Sequence, residues 1–108
     1  MIPMLTYKNF SKALNSKFIT GLDDGRQVEL KLESISELKV TPQQEMFSIF
    51  FRGPNDAFLD QGSRPLRHEA MGLIELFLVP IAQTAEGYQY ESVFNRLRKP
   101  DDEPGTKY

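Results

Sequence analysis

The sequence predicts a mainly β domain: a small antiparallel barrel of about six strands with one short α-helix at its N-terminal end. Three observations carry that expectation. Apolar residues recur at every second position in several short runs, which is the period of a half-buried strand. Turn signals (Asp-Gly, Gly-Pro, Gln-Gly, Met-Gly) separate the runs at short spacing. No helical periodicity lies between the runs, so parallel strands joined by crossovers have nothing to build them. A two-sheet sandwich satisfies the same pattern and stays open as the alternative.

The chain has 108 residues, which predicts a single domain at 1–97 followed by a tail. Hydrophobic residues make up 40% and charged residues 26%, a globular balance. The net charge is −2, and Lys and Arg are not clustered. That speaks against nucleic acid and anionic membranes as partners. The chain has no cysteine, which excludes disulfides, thiol chemistry and cysteine zinc sites. Its first residues, MIPMLTYKNFSK, lack the basic flank and apolar run of a signal peptide. The longest apolar run, from Leu73 to Ala82, is broken by Glu75 and Pro80 and falls short of the roughly 18 residues of a membrane span. A cytoplasmic protein is the expectation.

Taken in order, Thr6 to Leu14 reads as a helix with Tyr7, Phe10 and Leu14 on one face. Thr6 is placed to cap it, and Asn15 to end it in a left-handed conformation. A helix this short must pack on something, and a plug over one end of the core is the expected role. Strands follow at Lys17–Leu22 and Arg26–Leu32, joined through Asp23, Asp24 and Gly25. Val28, Leu30 and Leu32 face one way. The pattern runs on less cleanly to Val40, with a bulge expected near Ser34 to Ser36. Glu45–Arg52 is apolar on both faces: Phe47, Ile49 and Phe51 on one, Met46 and Phe50 on the other. Gly53 and Pro54 then turn the chain, and Ala57-Phe58-Leu59 is expected to touch down on the core in one helical turn. Gln61 and Gly62 turn it again. Arg64–Ala70 reads as a strand with Leu66, His68 and Ala70 on one face. Gly72 links it tightly to a strand at Leu73–Val79. A polar loop at Ala82–Gly87 leads to the last strand, Tyr88–Leu97. Residues 98–108, RKPDDEPGTKY, read as a disordered charged tail.

Chemistry has few places to sit. His68 is the only histidine. It is either a general base or metal ligand, or a neutral core histidine whose ring nitrogens pin a turn; the second reading is preferred. No set of ligands accompanies it, so neither a metal nor another cofactor is expected. Asp56, Asp60 and Glu69 surround the central turns, where Asp residues ordinarily bond their own backbone. Ser48 and Ser63 have no nucleophile context. A hydrolase built on His68 with Asp60 or Glu69 is therefore the weakest reading. Gly25, Gly53, Gly62 and Gly72, with Pro54, are turn residues in no phosphate-binding spacing. Two readings remain ahead of it. The first is a non-enzymatic interaction module that docks on a protein, either another chain or a second copy of itself as a homodimer, through Met46, Phe50, Phe77 and Val79. Apolar residues on the second face of two strands motivate it. The second is a barrel that holds a small apolar ligand, with Gln61, Arg64 and His68 at its mouth.

Phe47, Ser48, Phe51, Gly53 and Pro54, then Leu59, Gln61 and Gly62, then Leu66, His68 and Gly72 form a distinctive series. It continues through Leu76 to Pro80 and Tyr90, Val93, Phe94 and Asn95. In that order the chain resembles a family of small bacterial domains of unknown function, some encoded beside phage-tail-collar-like proteins. Ser63 and Arg64 stand where that family often has Thr and Tyr. The resemblance implies a compact β domain with an accessory role near tail-like assemblies, and no catalytic residues.

Overall fold

A computed structural model describes residues 5–97 of the chain. The expected tail at 98–108 lies outside the described residues. The elements run α1 (Tyr7–Lys12), β1 (Lys17–Gly21), β2 (Gln27–Ile35), β3 (Lys39–Val40), β4 (Gln44–Gly53), β5 (Gly62–His68), β6 (Gly72–Thr84) and β7 (Gly87–Leu97). Six of the strands close a ring in the order β1-β5-β6-β7-β4-β2, and β2 returns to pair with β1. Every neighbouring pair is antiparallel. The closure excludes the two-sheet sandwich. β3 extends the path of β2 along β4. The ring is not equally sewn all round: β4 and β7 pair from Gln44↔Leu97 to Gly53↔Tyr88, whereas β1 meets β5 at the single rung Ile19↔Arg67.

Alternation places the core. Along β2, Val28, Leu30 and Leu32 are buried, and along β4 Phe47, Ile49 and Phe51 are buried. With Phe18, Leu59, Leu66, Leu78 and Tyr90 they fill the interior with the protein's own side chains. Burying a side chain of this size is worth roughly 1.5–3 kcal/mol. The bulge in β2 falls between Leu32 and Ser34, slightly ahead of its expected place. Gly25 stands at φ 90 in the β1–β2 turn, the conformation that spacing required.

Connections cover both ends of the barrel. Thr6 Oγ1 accepts the Asn9 amide at 2.9 Å, and Asn15 leaves the helix at φ 68, as expected. The helix stops at Lys12, so Leu14 falls outside it and is exposed rather than on the buried face. Phe10 reaches the core, its ring 5.1 Å from Phe94, and Tyr7 stands edge-on to Phe47 at 5.2 Å. Thus α1 packs on the β4–β7 side of one end and delivers the chain to β1, on the far side of the ring. The opposite end is covered by the segment between Gly53 and Gly62. β4 and β5 are diametric in the ring, so this segment crosses the whole end, with Ala57 and Leu59 buried beneath it. It is irregular, not a helical turn. The Leu59 amide is satisfied by Tyr90 Oη at 3.0 Å instead of by a neighbouring carbonyl.

Two boundaries differ from the sequence reading. β6 does not stop at Val79 but continues through Pro80 to Thr84, so the expected polar loop shrinks to a tight turn before Gly87. The register shifts between Pro80 and Ala82, and this irregularity accommodates a residue that has no amide to donate. β5 ends at His68, and Ala70 is an exposed turn residue rather than the next inward one.

Candidate functional site

His68 sits at the helix end of the barrel, only 7% exposed, with its ring 4.4 Å from Phe18. Alternation along β5 turns it inward beside Leu66. Its Nδ1 accepts two backbone amides, those of Ala70 and Met71, each at 3.0 Å. An atom facing two N–H donors carries a lone pair, so the proton is on Nε2. Nε2 in turn lies 2.7 Å from Ser16 Oγ, and the Ser16 hydroxyl donates to the Ala13 carbonyl. Burial lowers the His68 pKa and outweighs the upward pull of the Glu69 carboxylate. The result is a neutral imidazole that pins the β5–β6 turn with one nitrogen and the exit of α1 with the other.

A serine oxygen this close to a histidine resembles a nucleophile and its base. The direction of the protons is opposite. A base needs a free lone pair on the nitrogen facing the hydroxyl, and here that nitrogen is the donor. The other residues once considered for chemistry are elsewhere: Glu69 is exposed, and Asp60 lies beyond the far end of β5. Among the described residues no three His, Cys, Asp or Glu side chains cluster so as to hold a metal ion. No helix among them is long and apolar enough to cross a membrane.

Gln61 and Arg64 are not gathered with His68. Gly62 and His68 mark the two ends of β5, roughly 20 Å apart at a rise of about 3.3 Å per residue. Arg64 is half-buried under the crossing segment and donates to the Asp60 carbonyl at 2.9 Å, and Gln61 is exposed. A Cβ at Gly53 would stand 2.7 Å from Leu30 Cδ2, so any larger residue there would have to displace a core side chain. Gly72, at φ 74, closes the turn that His68 holds. Pro54 is exposed at the start of the crossing.

The four residues read as an interface do share a surface. Met46 and Phe50 on β4 and Phe77 and Val79 on β6 all point outward. β7 lies between, and its register sets Glu91 between Val79 and Phe50, and Val93 beside Ser48. Val93 is 60% exposed and Phe77 50%. A shallow hollow of about 210 Å³ runs along this face past Lys39, Met46, Phe50, Glu91 and Val93. Val93, on β7, joins this face although it was not among the four residues expected there.

A second cluster left no sequence signal. Arg52 holds Glu33 with two parallel hydrogen bonds of 3.1 Å, and donates to Thr84 Oγ1 and the Gly87 carbonyl. Gln89 adds a bond of 3.2 Å to the same carboxylate. Strands β2, β4, β6 and β7 are thus tied together on the outer surface. The β2 bulge at Glu33 makes this possible.

These features define a small closed antiparallel barrel, plugged by its own connections and apolar along one outer face. The chain belongs to the DUF6916 family, a domain of unknown function, whose model matches residues 5–94. No curated protein and no solved structure matches the chain.

Proposed function

We propose that the chain is a protein-interaction module without catalysis of its own, which docks through the outer face of β4, β7 and β6 onto a second copy of itself. One observation carries this reading: Phe77 and Val93 stand at least half exposed beside Met46, Phe50 and Val79. A small monomer rarely leaves so many apolar side chains contiguous. Lys39 and Glu91 both line the hollow on this face. A two-fold pairing that sets Glu91 of each copy against Lys39 of the other would neutralise the carboxylate that interrupts the apolar row. The motif resemblance adds a context, that of an accessory to phage-tail-like assemblies in a bacterial cytoplasm.

Light scattering coupled to size exclusion at micromolar concentration tests the reading. The wild-type chain is expected to run as a dimer, and Phe77→Glu with Val93→Asp as a monomer with unchanged melting. A wild-type monomer throughout that range would overturn it. The buried side chains of the core favour this reading over a small apolar ligand held inside the barrel.

A further inference from the structure

We propose that mild acid opens the seam between β1 and β5 while the rest of the barrel stays folded, and that His68 is the latch. The seam is short for reasons that lie in its strands. The β1–β2 hairpin bonds the Leu32 amide to the Ser16 carbonyl at 3.0 Å and the Leu22 amide to the Arg26 carbonyl at 2.8 Å. Even-numbered residues of β1 therefore turn their amides and carbonyls toward β2, and odd-numbered ones turn theirs toward β5. Ile19↔Arg67 is the rung that results. Two residues along, the antiparallel register sets Gly21 against Pro65, which has no amide to give. Two residues the other way, Lys17 falls against Glu69, which already belongs to the turn after β5. Neither step adds a rung.

With so little ladder, the seam depends on its side chains. Phe18 lies against the His68 ring at 4.4 Å, Ser16 Oγ stands 2.7 Å from Nε2, and Nδ1 accepts the Ala70 and Met71 amides. One neutral ring thus joins the start of β1 to the end of β5. A second proton has one place to go, Nδ1, because Nε2 already carries the first. There it would point at two N–H groups, and both bonds would be lost.

The surroundings oppose the new charge. A hollow of about 770 Å³ borders the ring, and its charged side chains are Lys17 from β1, Arg67 from β5 and Glu69 from the turn. Among the described residues, β6 and the segment leaving α1 add no charge there. An imidazolium would make three cations against one carboxylate. Next to the rung, Thr20 Oγ1 is buried with no hydrogen-bond partner among the described residues. Water entering an opened seam would satisfy that group, which lowers the cost of opening. The β4–β7 ladder shares no hydrogen bond with any of these groups, so the opening stops short of it. Burial holds the His68 pKa below 6.5, and the event falls below that pH.

Amide hydrogen exchange followed by NMR on the full chain, expressed as protection factors from pH 7.5 down to pH 5, tests this. Protection at Ile19, Ala70 and Met71 is expected to fall by about tenfold or more, while Ile49 and Phe51 in the β4–β7 ladder keep theirs. In His68→Gln the fall is expected to vanish. Glu69→Gln removes the carboxylate that favours the imidazolium, so the midpoint of the loss is expected at lower pH. Glu69 is exposed, and this variant carries the test should His68→Gln unfold. Phe77→Glu is expected to leave the acid response unchanged, which separates the seam from the docking face. Equal loss along β4 and β7, or no loss at Ile19, would overturn the proposal. So would an acid response that persists in His68→Gln, or a midpoint that Glu69→Gln does not lower.

Discussion

Ser16 and His68 are 52 positions apart in sequence, and their side chains meet at 2.7 Å. Through that contact the end of the helical plug is fastened to the turn between β5 and β6. We predict that His68→Ala lowers stability by about 3 kcal/mol, because it strands the amides of Ala70 and Met71 and opens a small cavity. His68→Gln should recover part of the loss, since its carbonyl can accept from the same amides. For a domain of this size about 1 kcal/mol corresponds to a melting shift of roughly 4–8 °C, so thermal denaturation resolves the order. Equal melting of wild type and His68→Ala would refute the structural role.

The same ring makes stability depend on pH with a definite sign. The folded pKa of His68 lies below its ordinary value of 6.5, first because of burial. Between the two values the unfolded chain binds more protons than the folded one. The stabilisation is thus fully present above pH 6.5 and is lost as pH falls through the window below it. Protonating Nδ1 would also set a donor against the two amides it now serves. Urea unfolding at pH 7.5 and at pH 5 should show a larger loss for wild type than for His68→Gln. Parallel losses in both would contradict this.

Glycine substitutions should divide by what a methyl group would meet. At Gly87 a Cβ would lie 2.0 Å from the Gly53 carbonyl oxygen, on a backbone at φ 131. Nothing there yields except the β4–β7 ladder itself, so Gly87→Ala is predicted to cost at least about 3 kcal/mol, or to prevent folding. At Gly25 a Cβ would meet open space at φ 90, and Gly25→Ala should cost only about 1–2 kcal/mol. Chemical denaturation of both variants decides whether that order holds.

Tyr90 is fully buried, and its hydroxyl accepts the Leu59 amide at 3.0 Å. Burial raises the phenol pKa, so the group stays neutral through the ordinary range. Tyr90→Phe removes the acceptor and keeps the ring. A loss of about 1–2 kcal/mol is expected. Hydrogen exchange should accelerate at Leu59 far more than at Phe51, the strand partner of Tyr90. Uniform acceleration at both sites would mean that the crossing segment is held by something else.

Much of the barrel was legible because its causes are local. The turn at Gly25, the cap at Thr6, the left-handed Asn15 and the two faces of β4 each depend on a few neighbouring residues. Pro80 misled because proline ordinarily ends a strand, whereas here an irregularity in the ladder takes it in. Ala70 misled because alternation cannot reveal where a strand stops. The pairing of Arg52 with Glu33 had no signal, since it depends on a bulge and on strand order. The ring of His68 accepts the amides of the turn that follows it, and its second partner, Ser16, could not be found from spacing alone. Gln61, Arg64 and His68 were grouped because they are close in sequence, and an extended strand separates what a helix would have gathered.

The lone rung between Ile19 and Arg67 has a consequence for how copies of this chain behave when crowded together. Opening the β1–β2 hairpin away from β5 would break that rung and the Ser16–His68 contact while sparing the long ladder between β4 and β7. Two molecules caught in that open posture would trade hairpins, each completing the other's wall with the same residues it lost. Concentrated samples are therefore expected to yield interlocked pairs that survive dilution, and a disulfide engineered across Ile19 and Arg67 should abolish them.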